Sequence, residues 1–333
     1  MITLVRNEIY KMILRKKVIL IIILLILFVG LFSYGENYIY NQRINAFLQE
    51  SNQSNYSWEN IANQRLERLK ENLESAYIPE RGIKSIEIQI EQLEYFIDNN
   101  INPITPSVAR FNVEFVKQSI TFFLPLLIII IGADLISGEF SEKTIKILLT
   151  RAVPRWKILM SKLIALLIMT TLIVLLMAII STSISRVFIN RLGFDEPVIT
   201  GFKLVNGELS TATVIQITSL RYMLLNYSLA WYVALVMSAI TFMISVLVKS
   251  MGSAIGIIMA SLIGGQFLQF FLSDWGLVKY FYVTNLDLTK YLTGSYQQVE
   301  GMNLVFSVLV LMTWAIISIL ISFLVFSKKD VLV

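Results

Sequence analysis

Seven charged side chains crowd into one short stretch between two apolar runs: Glu139, Glu142, Lys143, Lys146, Arg151, Arg155 and Lys157. Among them sit Ile145, Leu148 and Leu149, close to the i, i+3, i+4 spacing of one helical face. Charges around an apolar stripe make a docking surface, so the spacing predicts a short amphipathic helix over 138–157. It would lie against a membrane surface and be closed by Pro154. Reaction chemistry has little to work with. The chain has no cysteine and no histidine, which removes disulfides, thiol chemistry, Cys/His zinc sites and histidine proton relays. Ser–His–Asp and Cys–His nucleophile pairs fall for the same reason. The G-x-x-x-x-G-K-S/T phosphate loop is also missing from the sequence, so the chain carries no ATPase motif of its own.

The elements that must position this stretch are membrane spans. Of 333 residues, 56% are hydrophobic and only 15% charged, and the mean hydropathy is +0.69. Those values describe an all-α polytopic membrane protein. Six spans are expected, at 18–34, 120–136, 158–184, 224–248, 251–272 and 304–326. Pro125 should kink the second, and Asp134 lies at its end as a boundary residue. Lys249-Ser250 makes a tight turn into the fifth, whose Gly252, Gly256, Gly264 and Gly265 allow close helix approach.

Between the spans the sequence changes character. Residues 1–17 place Val5, Ile9, Met12 and Ile13 on one helical face and Arg6, Lys11 and Arg15 around the other, as in an interfacial helix. The simpler reading is a positive flank of the first span. A small-residue cleavage site does not follow the apolar run, which argues against a signal peptide. Residues 35–117 carry two heptad seams: Ala62, Leu66, Leu69, Leu73 and Ala76, then Ile86, Ile90, Leu93 and Ile97. With a turn over 77–82, they predict two antiparallel helices outside the membrane, serving as a ligand or partner cap or as a plain spacer. Residues 185–222 read as a polar outer loop. Residues 273–302, with Trp275, Tyr280, Phe281, Tyr282, Tyr291 and Tyr296, read as interface anchors or short re-entrant pieces.

Charge sets the expected orientation. With the N-terminus in the cytoplasm, the short inner segments hold 14 basic residues against five acidic ones. Cations concentrated in short inner segments are the positive-inside signature, so both termini are expected inside. The same topology accounts for the net charge of +5 without invoking nucleic acid. Spans three to six have no ionisable residue in their central turns, which disfavours an ion-coupled carrier. Any transport would then draw energy from a partner, and the inner stretch around 138–157 is the surface to receive one.

At this point the residues resemble a family. The run Glu139-Phe-Ser-Glu142-Lys-Thr144-Ile145-Lys-Ile-Leu148-Leu149, leading into Arg151-Ala-Val-Pro154-Arg155, is similar to a motif of ABC-2 type exporter permeases. These are membrane subunits of ATP-binding-cassette transporters, and the group includes bacitracin-resistance, lantibiotic-immunity and sodium-extrusion systems. The order of parts matches too, from the amphipathic elbow helix (Glu8, Lys11, Arg15-Lys16-Lys17) to the six spans. Two departures stand out. The family's Gly before Thr is Lys143 here, and its earlier Pro is Ala152, with Pro154 placed later.

The resemblance implies a bacterial cytoplasmic-membrane protein that docks a separate ATPase subunit through Glu139, Glu142, Thr144, Ile145, Leu148, Leu149, Arg151 and Arg155. It implies a homodimer or a pair with a sister permease, with ATP and Mg bound on the ATPase and no cofactor on this chain. The cargo would be an amphipathic or hydrophobic antimicrobial peptide, lipid or drug. Thr121, Phe122 and Phe123, with Gln266 and Gln269, are the expected substrate path, or equally packing contacts within the bundle. The alternative class is a non-transporting sensor or scaffold whose outer hairpin binds a ligand.

Overall fold

The computed structural model describes residues 1–51, 57–74, 80–145, 153–205, 208–210, 214–272, 275–294, 299 and 301–328. It is a mainly helical, multi-pass membrane protein. Among the described residues, five helices are long and apolar enough to cross a bilayer: α2 (Lys17–Ser51), α8 (Arg155–Phe188), α9 (Ser219–Leu247), α10 (Met251–Phe271) and α12 (Leu304–Lys328). The remaining candidate span is broken. Helices α5 (Val108–Ser119) and α6 (Phe123–Gly132) meet at 64°.

That break has a local cause. Pro125 has no N–H, and its ring crowds the carbonyl four residues back, at Thr121. Thr121 lies between the two helices, so the bend falls at 120–122 and Pro125 sits in the first turn of α6. The pair still runs the length of the bundle. At one end Val108 N donates to Arg191 O beyond the end of α8, and at the other Ile136 N donates to Ser245 Oγ in the last turns of α9. The span therefore begins near 108, twelve residues earlier than its sequence suggests, because α5 is amphipathic and its apolar residues pack into the core of the bundle.

Helix α9 is the centre of the bundle. In its most apolar window 72% of residues are buried, against 22% in each of α2, α10 and α12. Large apolar residues on those three, such as Leu31, Phe267 and Leu309, are exposed to the surroundings, as expected where lipid is the solvent. The glycines of α10 behave differently from one another. A Cβ at Gly265 would stand 2.6 Å from Val283, so this glycine permits a close approach, while Gly252, Gly256 and Gly264 face open space.

One end of the bundle is capped. Helices α3 (Trp58–Glu74) and α4 (Glu80–Asp98) pack side by side, burying Ala62, Ile90 and Leu93 of the heptad seams; Ala76 and the start of the expected turn lie outside the described residues. Helix α2 continues well past residue 34 into this region. The segment expected to be plain loop contains two antiparallel ribbons, β1 (Pro197–Thr200) with β4 (Ile215–Thr218) and β2 (Lys203–Val205) with β3 (Glu208–Ser210). The cap is knit by small contacts. Phe202 meets Tyr95 and Phe96 edge-on, Gln92 donates to Thr293 O at 2.9 Å, and Thr200 donates to Leu292 O at 2.6 Å. Leu292 and Thr293 belong to α11 (Lys290–Thr293), which ends at Gly294 with φ +64° directly against Phe202.

Candidate functional site

At the opposite end, charges converge on a five-residue helix, α7 (Ser137–Ser141). Helix α1 (Ile2–Leu14) lies beside it and packs on α8. Glu8 and Lys11 of α1 and Arg15 at its C-cap are spaced i, i+3 and i+7, along one face. Lys162, about two turns into α8, is buried to 2% exposure and donates to Glu8 Oε2 at 2.9 Å and Glu139 Oε1 at 3.1 Å. Lys11 reaches the same two carboxylates at 3.5 Å. Arg15 bridges Asp134 at 2.7 Å and Glu142 at 3.0 Å, and Lys17 pairs with Asp134 at 2.5 Å. Four carboxylates thus meet four cations, so the cluster is neutral although much of it is out of water. Full pairing is what makes such burial tolerable.

Backbone groups of α7 are held as well. Ile136 N and Ser137 N both donate to Ser245 Oγ of α9, at 3.0 and 3.2 Å. Ser141 Oγ donates to Lys249 O in the turn between α9 and α10, at 3.2 Å. This short helix is therefore bonded to α1, α8, α9 and the turn into α10.

Glu139 illustrates the electrostatics. Burial acts to raise its carboxyl, but Lys162, the Thr144 hydroxyl and Lys11 outweigh burial and hold it down at about 2. It is an anion at every physiological pH. Among the described residues no group of three or more acidic side chains is arranged to hold a metal ion.

The structure redistributes the expected docking residues. Glu139 and Ile145 are turned inward, at 6% and 2% exposure, so neither offers its side chain to a partner. Thr144 is half-buried and hydrogen-bonds Glu139. Glu142 is exposed, with more than half of its side chain free although it is paired with Arg15, and Arg155 is exposed as well. Leu148, Leu149 and Arg151 lie outside the described residues. The single helix expected over 138–157 is corrected: α7 stops at Ser141, the chain turns at Lys143, and Arg155 to Lys157 already form the first turn of α8 behind Pro154. Lys143 has φ +59°, a left-handed conformation that glycine adopts without steric cost.

The expected substrate path is not gathered in one place. Phe123 is buried against Phe28, with ring centroids 4.5 Å apart, and Phe122 is exposed in the break beside half-buried Thr121. Gln266 is exposed on α10 and Gln269 half-buried. Sequence reasoning missed the partners that matter most, Glu8, Arg15, Asp134 and Lys162. The available signal was the Glu8–Lys11–Arg15 stripe, a charged face on the helix that precedes a span.

Comparison with known proteins finds relatives in Bacillus subtilis (strain 168). The chain is 30% identical over 244 residues to the uncharacterized protein YhcI of Bacillus subtilis (strain 168), covering 72% of this chain and 74% of the relative. It is 28% identical over 217 residues to the uncharacterized membrane protein YdbK of the same organism, covering 64% of this chain and 80% of the relative. The family model described as "Protein of unknown function (DUF2705)" matches residues 88–332, from within α4 through the last span, and the chain belongs to that family.

Proposed function

We propose that this chain is the membrane-spanning permease subunit of a bacterial ABC-2 type ATP-binding-cassette transporter. It would export an amphipathic or hydrophobic substrate such as an antimicrobial peptide, a lipid or a drug. In this reading the α1–α7 end faces the cytoplasm, both termini are inside and the α3–α4 cap is outside. The working unit is a dimer, with itself or a sister permease, bound to ATPase subunits that carry ATP and Mg.

The observation that carries the reading is the convergence on α7. Stretching a buried, fully paired ion network costs several kcal/mol. A partner that displaces α7 therefore moves α1, α8 and α9 with it. Glu139 and Lys162 act as the transmission, and Glu142 with the segment after Ile145 meets the ATPase. Closure of an ATPase pair would in this way become a shift of spans without any catalytic group on this chain.

The test is co-purification of the tagged chain from mild detergent, with mass spectrometry of its partners and an ATPase assay. A stoichiometric ATP-binding-cassette subunit with vanadate-sensitive turnover is expected. The double variant Glu142→Lys, Leu148→Asp should lose both. Unchanged co-purification and turnover in that variant would sink the docking assignment. A second reading, a non-transporting sensor or scaffold, is favoured by the cleft beneath the α3–α4 cap described next. Recovery of the chain free of any ATPase, alongside an intact control transporter, would make it the better one.

A further inference from the structure

A cleft of about 260 Å³ lies under the cap, between α4, α5, β1 and the first turns of α9. Phe96, Val113, Phe202 and Tyr222 make much of its lining apolar. Arg110, Glu114 and Lys117 supply its charge. These three come from one face of α5, the polar half of the broken span, at i, i+4 and i+7.

The two cations are held differently. Arg110 is anchored by the carbonyls of Thr105 at 2.6 Å and Asn102 at 2.7 Å, with Glu196 at 3.9 Å. Those carbonyl bonds occupy two of its five N–H donors. Lys117 is three-quarters buried, yet its carboxylate partner Glu114 stands 3.8 Å away, and its ammonium lies 5.6 Å over the Tyr222 ring. Glu114 is about half exposed and accepts from Gln118 at 3.1 Å, so its charge is largely shared with water. A cation this buried, with one distant and solvated counter-charge, is left poorly compensated.

We propose that this cleft binds a small amphipathic anion. A ring-sized apolar body would seat against Phe96, Val113 and Tyr222, and one carboxylate-type group would be taken by Lys117 in the field of Arg110. The volume falls just below the range of about 300–1,000 Å³ typical of drug-sized ligands, which suits a single ring with a short acidic arm. The site stands whether or not the chain exports anything, since it requires neither an ATPase nor a second copy.

The test uses the full chain in lipid nanodiscs and fluorine NMR, with 4-(trifluoromethyl)phenylacetate as the probe and empty nanodiscs as the baseline. Line broadening above that baseline is expected, reversed by excess phenylacetate. The amine of the same shape, 4-(trifluoromethyl)benzylamine, should show none. Lys117→Gln should weaken binding by about tenfold or more, the worth of a charge-assisted hydrogen bond. Lys117→Arg should restore most of it, and Val113→Trp, which fills the cleft, should abolish it. Equal broadening by acid and amine, no broadening by the acid, or unchanged binding in Lys117→Gln and Val113→Trp would each overturn the proposal.

Discussion

The two ends of this bundle solve the same problem, joining helices to one another, in opposite ways. At the α1–α7 end a few strong interactions do it. Lys162 is buried between two carboxylates and Asp134 between two cations, each at hydrogen-bond distance. At the capped end the work is spread over many weak pieces: two short helices, two ribbons, aromatic edges and a few carbonyl bonds, arranged around a cleft. The first construction is stiff, because moving Lys162, Glu139 or Asp134 strands a buried charge. The second can shift piece by piece, because each contact is worth little. A stiff end suits the passing on of a displacement, and an adaptable end suits a ligand.

The largest expected effect sharpens that contrast. Lys162→Met removes the cation shared by Glu8 and Glu139, and breaking a buried pair costs about 3–5 kcal/mol. The thermal midpoint of the detergent-solubilised chain should drop well below that of the wild type. A midpoint within a degree of wild type would show that the network is not the stiff element.

Acid gives a graded version of the same test. The Glu139 carboxyl sits at about 2, below its ordinary 4.5, so its contribution is fully present above pH 4.5. It declines as the pH falls through that window and is lost below the folded value. The stability difference between wild type and Glu139→Gln should therefore be flat from neutrality to pH 5 and shrink only below about 4.5. A difference that vanished between pH 7 and 5 would contradict the buried, multiply paired geometry.

At the other end, Lys70 and Glu94 bridge α3 and α4 at 2.8 Å, but both side chains are largely exposed. Solvent and salt screen such a pair, so Lys70→Ala should cost at most about 1 kcal/mol. Its measured effect should fade further in high salt. A loss as large as that for Lys162→Met would erase the contrast between the ends.

How far the sequence could be read follows the same division. The spans are legible because lipid demands unbroken apolar helices, and α8, α10 and α12 begin or end within a few residues of where composition puts them. The heptad seams of α3 and α4 are legible for a similar reason, since a repeating apolar stripe has one economical partner. The broken span was less visible: Arg110, Glu114 and Lys117 make α5 look soluble, and only its packing against α8 and α9 shows that it belongs to the bundle. The ribbons at 197–218 escaped because their strands are only three or four residues long, too short for alternation to register.

Sequence by itself determined the class of molecule: a helical chain with about six membrane crossings, without cysteine or histidine chemistry, and with its inner-type charges gathered near α7. These are properties of local composition and period, which a one-dimensional reading can see. Tertiary structure alone decided which charges are neighbours. Glu139 and Lys162 are 23 residues apart, Glu8 and Lys162 are 154 apart, and Arg15 and Asp134 are 119 apart. Their meeting depends on how α1, α7 and α8 cross, and no spacing along the chain encodes that. For the same reason Glu139, which sequence alone presents as a surface acid, is an interior one.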